Sequence, residues 1–122
     1  MRGVLLVPIL AALVLTGCGD SGGGVLEGPD VTLQMFDNRY AYDEIRIPVG
    51  GSVTFAGAGR QGHNAVAADG SWSTEDVFGS LEQLEGDNAT LTFNIPGEYL
   101  FFCTFHGGAD GDGMAGTLVV TP

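Results

Sequence analysis

PGEYLFFCTFH, residues 96–106, is a turn followed by an apolar strand that leads to a cysteine and a histidine. The Pro-Gly pair predicts the turn, and the two-residue period of a strand places Cys103 on the same face as the buried aromatic residues before it. His106 follows three residues later, and Met114 follows the turn-rich segment 107–113, which holds four glycines and two aspartates. We therefore expect one loop between two strands to present a thiol, an imidazole and a thioether.

The same alternation of apolar and polar residues continues through the chain after residue 30. About seven short runs of this kind, separated by glycine and proline, are typical of strands with one buried face. They predict an all-β fold, an antiparallel β-sandwich of about seven or eight strands. Only the segment 76–86 is ambiguous, because it is compatible with one helical turn or with an irregular strand.

The N-terminus has the features of an export signal. Arg2 precedes the apolar segment 3–15, which is short for a membrane span. Leu15-Thr16-Gly17-Cys18 then resembles a bacterial lipobox, in which the cysteine is acylated and the chain is cut just before it. We interpret residues 1–17 as a lipoprotein signal peptide and Cys18 as the lipidation site. An ordinary signal cleaved near the same small residues is the alternative.

The rest of the chain divides into a tether and one domain. Residues 18–30 are rich in glycine, serine and acidic residues, which favours a flexible, lipid-anchored tether. Residues 31–122 are then enough for a single domain. This organisation predicts an exported protein, held by lipid on the outer face of the cell membrane.

The charge of the chain is strongly acidic. Fifteen acidic residues and four arginines, with no lysine, give a formal net charge of −11. This charge argues against nucleic acid and anionic headgroups as partners. It favours a partner with a basic face, although general solubility or adaptation to salt explains it equally well.

The cysteine count leaves one thiol to explain. If Cys18 carries the lipid, Cys103 is the only free thiol and cannot form an internal disulfide. Binding to a metal would protect it from oxidation in an exported protein. With Met114 and the only two histidines, His63 and His106, it completes the thiolate, imidazole and thioether set of a mononuclear blue-copper site.

Each of these residues has a simpler explanation when it is taken alone, as a core thiol, a polar surface histidine or a packing methionine. Their combination favours copper. The chain has no Cys-x-x-Cys motif for disulfide exchange or c-type haem, and zinc seldom accepts a thioether. A Cys-His nucleophile would need an orienting acid that the sequence does not indicate, so we expect no enzymatic activity.

These motifs resemble those of the cupredoxins, the type 1 blue-copper proteins, in their plastocyanin and halocyanin-like group. The resemblance covers residues 31–120 and rests on His63-Asn64, Gly97-Glu98-Tyr99, Phe102-Cys103-Thr104, His106 and Met114-Ala115-Gly116. It implies a Greek-key sandwich that holds one copper ion. The implied ligands are Nδ1 of His63 and of His106, the Cys103 thiolate and, axially, Met114.

The resemblance also implies roles around the metal. Asn64 would join the two ligand loops near the cysteine sulfur, and His106 would be the port for electrons. The chain departs from the usual plastocyanin pattern in having seven residues, rather than four, between His106 and Met114. It also has Phe102 where the plant proteins have a tyrosine used in docking.

The implied function is a membrane-tethered monomer that carries single electrons as copper cycles between Cu(I) and Cu(II). Its expected partners are redox proteins such as a basic-faced cytochrome, an oxidase or a membrane redox complex. The alternative is a copper-holding or copper-delivery protein of the cell envelope, and a sandwich adhesion domain is a weaker one. Delivery sites usually expose many Met or His ligands, whereas this chain has three methionines and places Cys103 at a buried strand end.

Overall fold

A computed structural model describes residues 23–122, and nearly all of its regular structure is β. Within this range the chain forms nine strands and one short helix. In chain order these are β1 (Val25–Glu27), β2 (Asp30–Phe36), β3 (Arg39–Tyr40), β4 (Glu44–Pro48), β5 (Ser52–Gly57), β6 (Val66–Ala67), α1 (Glu75–Phe78), β7 (Asn88–Thr92), β8 (Gly97–Gly107) and β9 (Gly113–Thr121).

The strands form two sheets that share one core. The five-stranded sheet has the order β1-β4-β9-β8-β6, and the four-stranded sheet has the order β3-β2-β5-β7. Inward-facing residues of both sheets belong to the same buried apolar cluster. The predicted all-β sandwich is therefore confirmed.

Both sheets are mixed, whereas the sequence pattern predicts antiparallel pairing. β4 runs parallel to β1 and to β9, and β2 runs parallel to β5. The remaining pairs are antiparallel. The chain crosses between the sheets at most connections, so neighbours within a sheet are often far apart in sequence. The alternation of apolar and polar residues indicates only which face of a strand is buried. It contains no information on the direction of the neighbouring strand.

Strand pairing in the domain includes residues that the composition assigns to a tether. The composition predicts a tether over residues 18–30, but Val25–Glu27 pairs in parallel with Glu44–Arg46, and Leu26 packs against the core. A strand this short shows no alternation to detect, and its pairing uses backbone groups that composition does not reveal. The predicted signal peptide, residues 1–17, and Cys18 lie outside the described residues.

An aromatic cluster fills the centre of the sandwich. Phe101 lies 5.0 Å from Tyr40, 5.9 Å from Phe55 and 5.8 Å from Trp72, measured between ring centroids. Phe101 is fully buried on β8, two residues before Cys103. The packing of these rings therefore fixes the strand that carries the thiol.

The ambiguous segment 76–86 contains the end of α1, which is one helical turn, followed by irregular chain. None of the helical structure in residues 23–122 has the length and apolar content that crossing a bilayer requires.

Candidate metal centre

Three side chains with metal-binding chemistry converge near one end of β8. Donor atoms of His63, Cys103 and His106 all lie within 4.8 Å of one another. The Cys103 Sγ atom is 3.9 Å from Nδ1 of His63 and 3.7 Å from Nδ1 of His106. With metal–sulfur and metal–nitrogen bonds of about 2.3 and 2.0–2.1 Å, donors at trigonal angles lie about 3.8 Å apart. The separations in the structure fit a single metal ion that these three atoms would hold.

An irregularity in β8 allows Cys103 and His106 to face the same point. Residues three apart on a regular strand point to opposite faces. The pairing of β8 with β9 is regular up to Phe102, becomes irregular, and resumes where Gly107 pairs with Gly113. The sequence predicts that the strand ends at Cys103. Instead the strand continues to Gly107, and its local irregularity turns the two side chains together.

Met114 is held next to this irregularity. Its side chain is 1% exposed, and it directly follows Gly113 on β9. A Cβ atom on Gly107 would overlap the Met114 carbonyl oxygen, so the two strands approach closely there. The Gly107–Gly113 pair closes the loop between His106 and Met114. The five residues between these two glycines, 108–112, therefore project outward as a turn, and Met114 remains beside the site.

His63 is brought to the site by the loop after β5. It is fully buried, and its backbone forms two hydrogen bonds with Gln83, of 3.0 and 2.9 Å. The side chain of Gln83 in turn donates to the backbone carbonyls of Phe55 and Asp87. This network fixes the position of the imidazole before any metal binds.

Asn64 joins the loop of His63 to the strand of Cys103. Its amide nitrogen donates to Thr104 Oγ1 at 3.0 Å, and its amide oxygen accepts from the Thr104 backbone N–H at 2.9 Å. The Tyr40 hydroxyl donates to the backbone carbonyl oxygen of Asn64 at 2.7 Å. Burial raises the pKa of Tyr40 well above its usual value, with a smaller contribution from the charge of Cys103, so the phenol remains a neutral donor.

Asp37 is a residue of the site that the sequence pattern did not reveal. Its Oδ1 atom accepts a hydrogen bond of 3.0 Å from Nε2–H of His63. The backbone N–H groups of Gln61 and Arg60 donate to the same carboxylate. The Gln61 bond, followed by the His63 bond, lowers the pKa of Asp37 to about 2, so the carboxylate is ionised at neutral pH. In the sequence Asp37 is only a polar residue before Asn38, in a turn between two apolar runs.

The order Cys103, His63, Asp37 also has the outline of a nucleophilic triad. Cys103 and His63, however, are both 0% exposed, so a substrate has no route to the sulfur. The arrangement suits a bound ion better than an attacking thiolate.

Of the three converging residues, only His106 reaches the surface. His106 is partly exposed, and the neighbouring Phe105 is 45% exposed. Asp110 and Asp112 lie on the adjacent exposed turn and line the same shallow depression as His106.

Comparison with known proteins agrees with this geometry. Residues 30–121 match the family described as copper binding proteins, plastocyanin/azurin family. The chain is 30% identical over 125 residues to a chloroplastic plastocyanin of Physcomitrium patens, an alignment that covers 98% of this chain and 69% of that protein. Auracyanin from Roseiflexus castenholzii has a similar structure, with a TM-score of 0.56, 23% identity and coverage of 79% of this chain and 99% of that one.

A copper-containing nitrite reductase from Thermus scotoductus is also similar, with a TM-score of 0.62 and 25% identity. The alignment covers 89% of this chain but only 25% of the reductase, so the likeness concerns one part of that enzyme.

The chain therefore belongs to the plastocyanin/azurin family of copper-binding proteins, the cupredoxins. His63, Cys103, His106 and Met114 are positioned as a type 1 copper site. The thiolate and thioether are soft donors that suit Cu(I), and imidazole suits both oxidation states of copper.

The Asn64 bridge yields a prediction for the metal-free protein. Replacing the buried Asn64 with Ala removes two hydrogen bonds and leaves the Thr104 backbone N–H without its partner, which should lower the free energy of unfolding by about 1–3 kcal/mol. Urea unfolding measures this change. Asn88→Ala, at an exposed position, is the matched control and should change stability by about 0.5 kcal/mol or less. Equal stability of the two variants would show that the bridge contributes nothing.

Proposed function

We propose that this protein carries single electrons between redox partners through its type 1 copper site and transforms no substrate. When bound, copper supplies a one-electron couple between Cu(II) and Cu(I). The observation that supports electron transfer most directly is the convergence of donor atoms, within 4.8 Å, in a buried frame that is already hydrogen-bonded. Such a frame keeps the donor atoms in place when the charge of the site changes.

The proposed ligands differ in what they contribute. Nδ1 of His63, Nδ1 of His106 and the Cys103 thiolate would be the strong donors to copper, and the thioether of Met114 would be a weaker fourth donor. Asn64 holds the two segments that carry His63 and Cys103 at a fixed separation. Cys103 and Met114 are at most 1% exposed, and this burial does not favour a copper-delivery protein, which must pass its ion to a partner.

We propose that electrons enter and leave through the exposed edge of His106. The apolar surface of Phe105 beside it would allow a partner to approach closely. The flanking Asp110 and Asp112, and the net charge of −11, favour a partner with a basic docking face, such as a cytochrome, an oxidase or a membrane redox complex. In this proposal the protein acts as a monomer.

We also propose that the protein is a halocyanin-like lipoprotein, anchored through Cys18 to the outer face of the cell membrane. The support is the order Leu15-Thr16-Gly17-Cys18 after the apolar segment 3–15. Because β1 starts at Val25, a tether would span at most residues 18–24, and seven residues would reach about 25 Å or less when fully extended. The copper domain would then work close to the membrane surface.

The copper site predicts a distinctive spectrum. The purified protein with Cu(II) should show an intense blue charge-transfer band and narrow copper hyperfine splitting in EPR, because the Cys103 thiolate would be a direct ligand of the ion. Cys103→Ser should abolish the band. Cys18→Ser changes the only other cysteine and should leave the band unchanged, which makes it the matched control. A colourless wild-type protein would contradict the proposed function.

The axial role of Met114 has a separate test. Met114→Gln should keep copper bound but lower the reduction potential, because a harder oxygen donor stabilises Cu(II). A ten- to hundredfold change in the relative affinity for the two oxidation states corresponds to about 60–120 mV. Met114→Leu, which removes the donor, should raise the potential. If both variants keep the wild-type potential in voltammetry, Met114 is not a ligand.

The anchor is tested by fractionating cells that express the full chain. The wild-type protein should sediment with membranes, and Cys18→Ser should be released into the soluble or secreted fraction because no acyl chain can be attached. Retention of Cys18→Ser in the membrane fraction would refute lipidation at this residue. The blue colour of the released variant would show that its copper domain is intact.

A further inference from the structure

The second nitrogen of the buried His63 ring faces a carboxylate. Nδ1 of His63 points to Cys103 Sγ, and Nε2 lies 3.0 Å from Asp37 Oδ1. The His63 side chain is 0% exposed, so water cannot satisfy Nε2–H. A buried N–H group needs an acceptor, and here the acceptor carries a full negative charge.

The loop that carries His63 also holds this carboxylate in place. The backbone N–H of Gln61 donates to Oδ1 at 3.0 Å, and that of Arg60 donates to Oδ2 at 3.2 Å. A Cβ atom on Gly59 would overlap the Asp37 carboxylate, so the loop wraps around Asp37 more closely than any residue but glycine allows. The contact between Asp37 and His63 is therefore built into the backbone of the loop and does not rest on one mobile side chain.

An acceptor at Nε2 selects one form of the neutral imidazole. When Nε2 carries the proton, Nδ1 has a free lone pair directed at the metal position, whereas the other tautomer would place a proton there. A carboxylate partner also makes the ring a stronger donor to a metal ion. Its negative charge stabilises the more positive, oxidised state of the site, although the 36% exposure of the Asp37 side chain reduces this effect by solvent screening.

We propose that Asp37 is a positioning residue of the copper site, which holds His63 as its Nε2–H tautomer and lowers the reduction potential by favouring Cu(II) over Cu(I). This inference rests on the proposed electron-transfer function for its effect on the potential. Its effect on the tautomer does not depend on bound copper.

The potential is tested with charge-removing variants of the full protein loaded with copper. Asp37→Asn can still accept the hydrogen bond but carries no charge, so the blue band should remain and the potential should rise. Asp37→Ala should raise it further and weaken Cu(II) binding by about 10- to 100-fold. Asp69→Asn is the matched control, because Asp69 also accepts hydrogen bonds from its own loop, through Ser71, and should leave the potential unchanged.

Two further measurements keep the proposal testable if the Asp37 variants fold poorly. In the metal-free wild-type protein, nitrogen-15 NMR should show the neutral His63 ring with its proton on Nε2. Gly59→Ala, which displaces the carboxylate while retaining its charge, should weaken this preference and shift the potential in the direction of Asp37→Ala.

The outcomes separate this inference from the proposed function. A blue protein whose potential is the same in Asp37→Asn, Asp37→Ala and the wild type would overturn the role of Asp37 and leave electron transfer standing. A wild-type protein without a blue band would overturn the proposed function, and the NMR measurement would still decide the tautomer. A proton on Nδ1 of His63 in the metal-free protein would overturn the positioning role directly.

Discussion

The Cys103 thiol must be held between two imidazole nitrogens, and one of them, that of His63, comes from a segment forty residues earlier in the sequence. The rest of the site depends on this constraint. Asn64 directly follows His63 in the sequence, and Thr104 directly follows Cys103. Both ends of the Asn64 side-chain amide form hydrogen bonds with Thr104, and these bonds satisfy the constraint. Two bonds between one pair of residues restrict rotation as well as distance. Asn64 is fully buried, so water does not compete strongly for these bonds.

The core of the sandwich reaches this bridge through Tyr40. The Tyr40 hydroxyl donates to the backbone carbonyl oxygen of Asn64. The Tyr40 ring packs edge-on against Phe101, which precedes Cys103 by two residues on β8. The loop with the buried imidazole and the strand with the thiol are therefore fixed to the same aromatic cluster. A close-packed interior resists displacement. This is the property that an electron carrier needs, because its donor atoms must stay in place in both oxidation states.

The donor residues could be predicted from the sequence because their chemistry is rare and the alternation before Cys103 places its side chain inward. Pairing direction and β1 could not be predicted, since both depend on backbone contacts between distant segments. Asp37 could not be predicted either. It lies twenty-six residues before His63, and their contact exists only because the loop after β5 folds over the turn between β2 and β3.

We expect the folded chain to hold one set of copper ligands in both oxidation states. X-ray absorption at the copper edge, recorded on the oxidised and the reduced protein, tests it most directly. Two nitrogen donors and one sulfur donor should lie at short distance from copper in both forms, with only small changes in bond length. Loss or replacement of one of these three donors on reduction would contradict it.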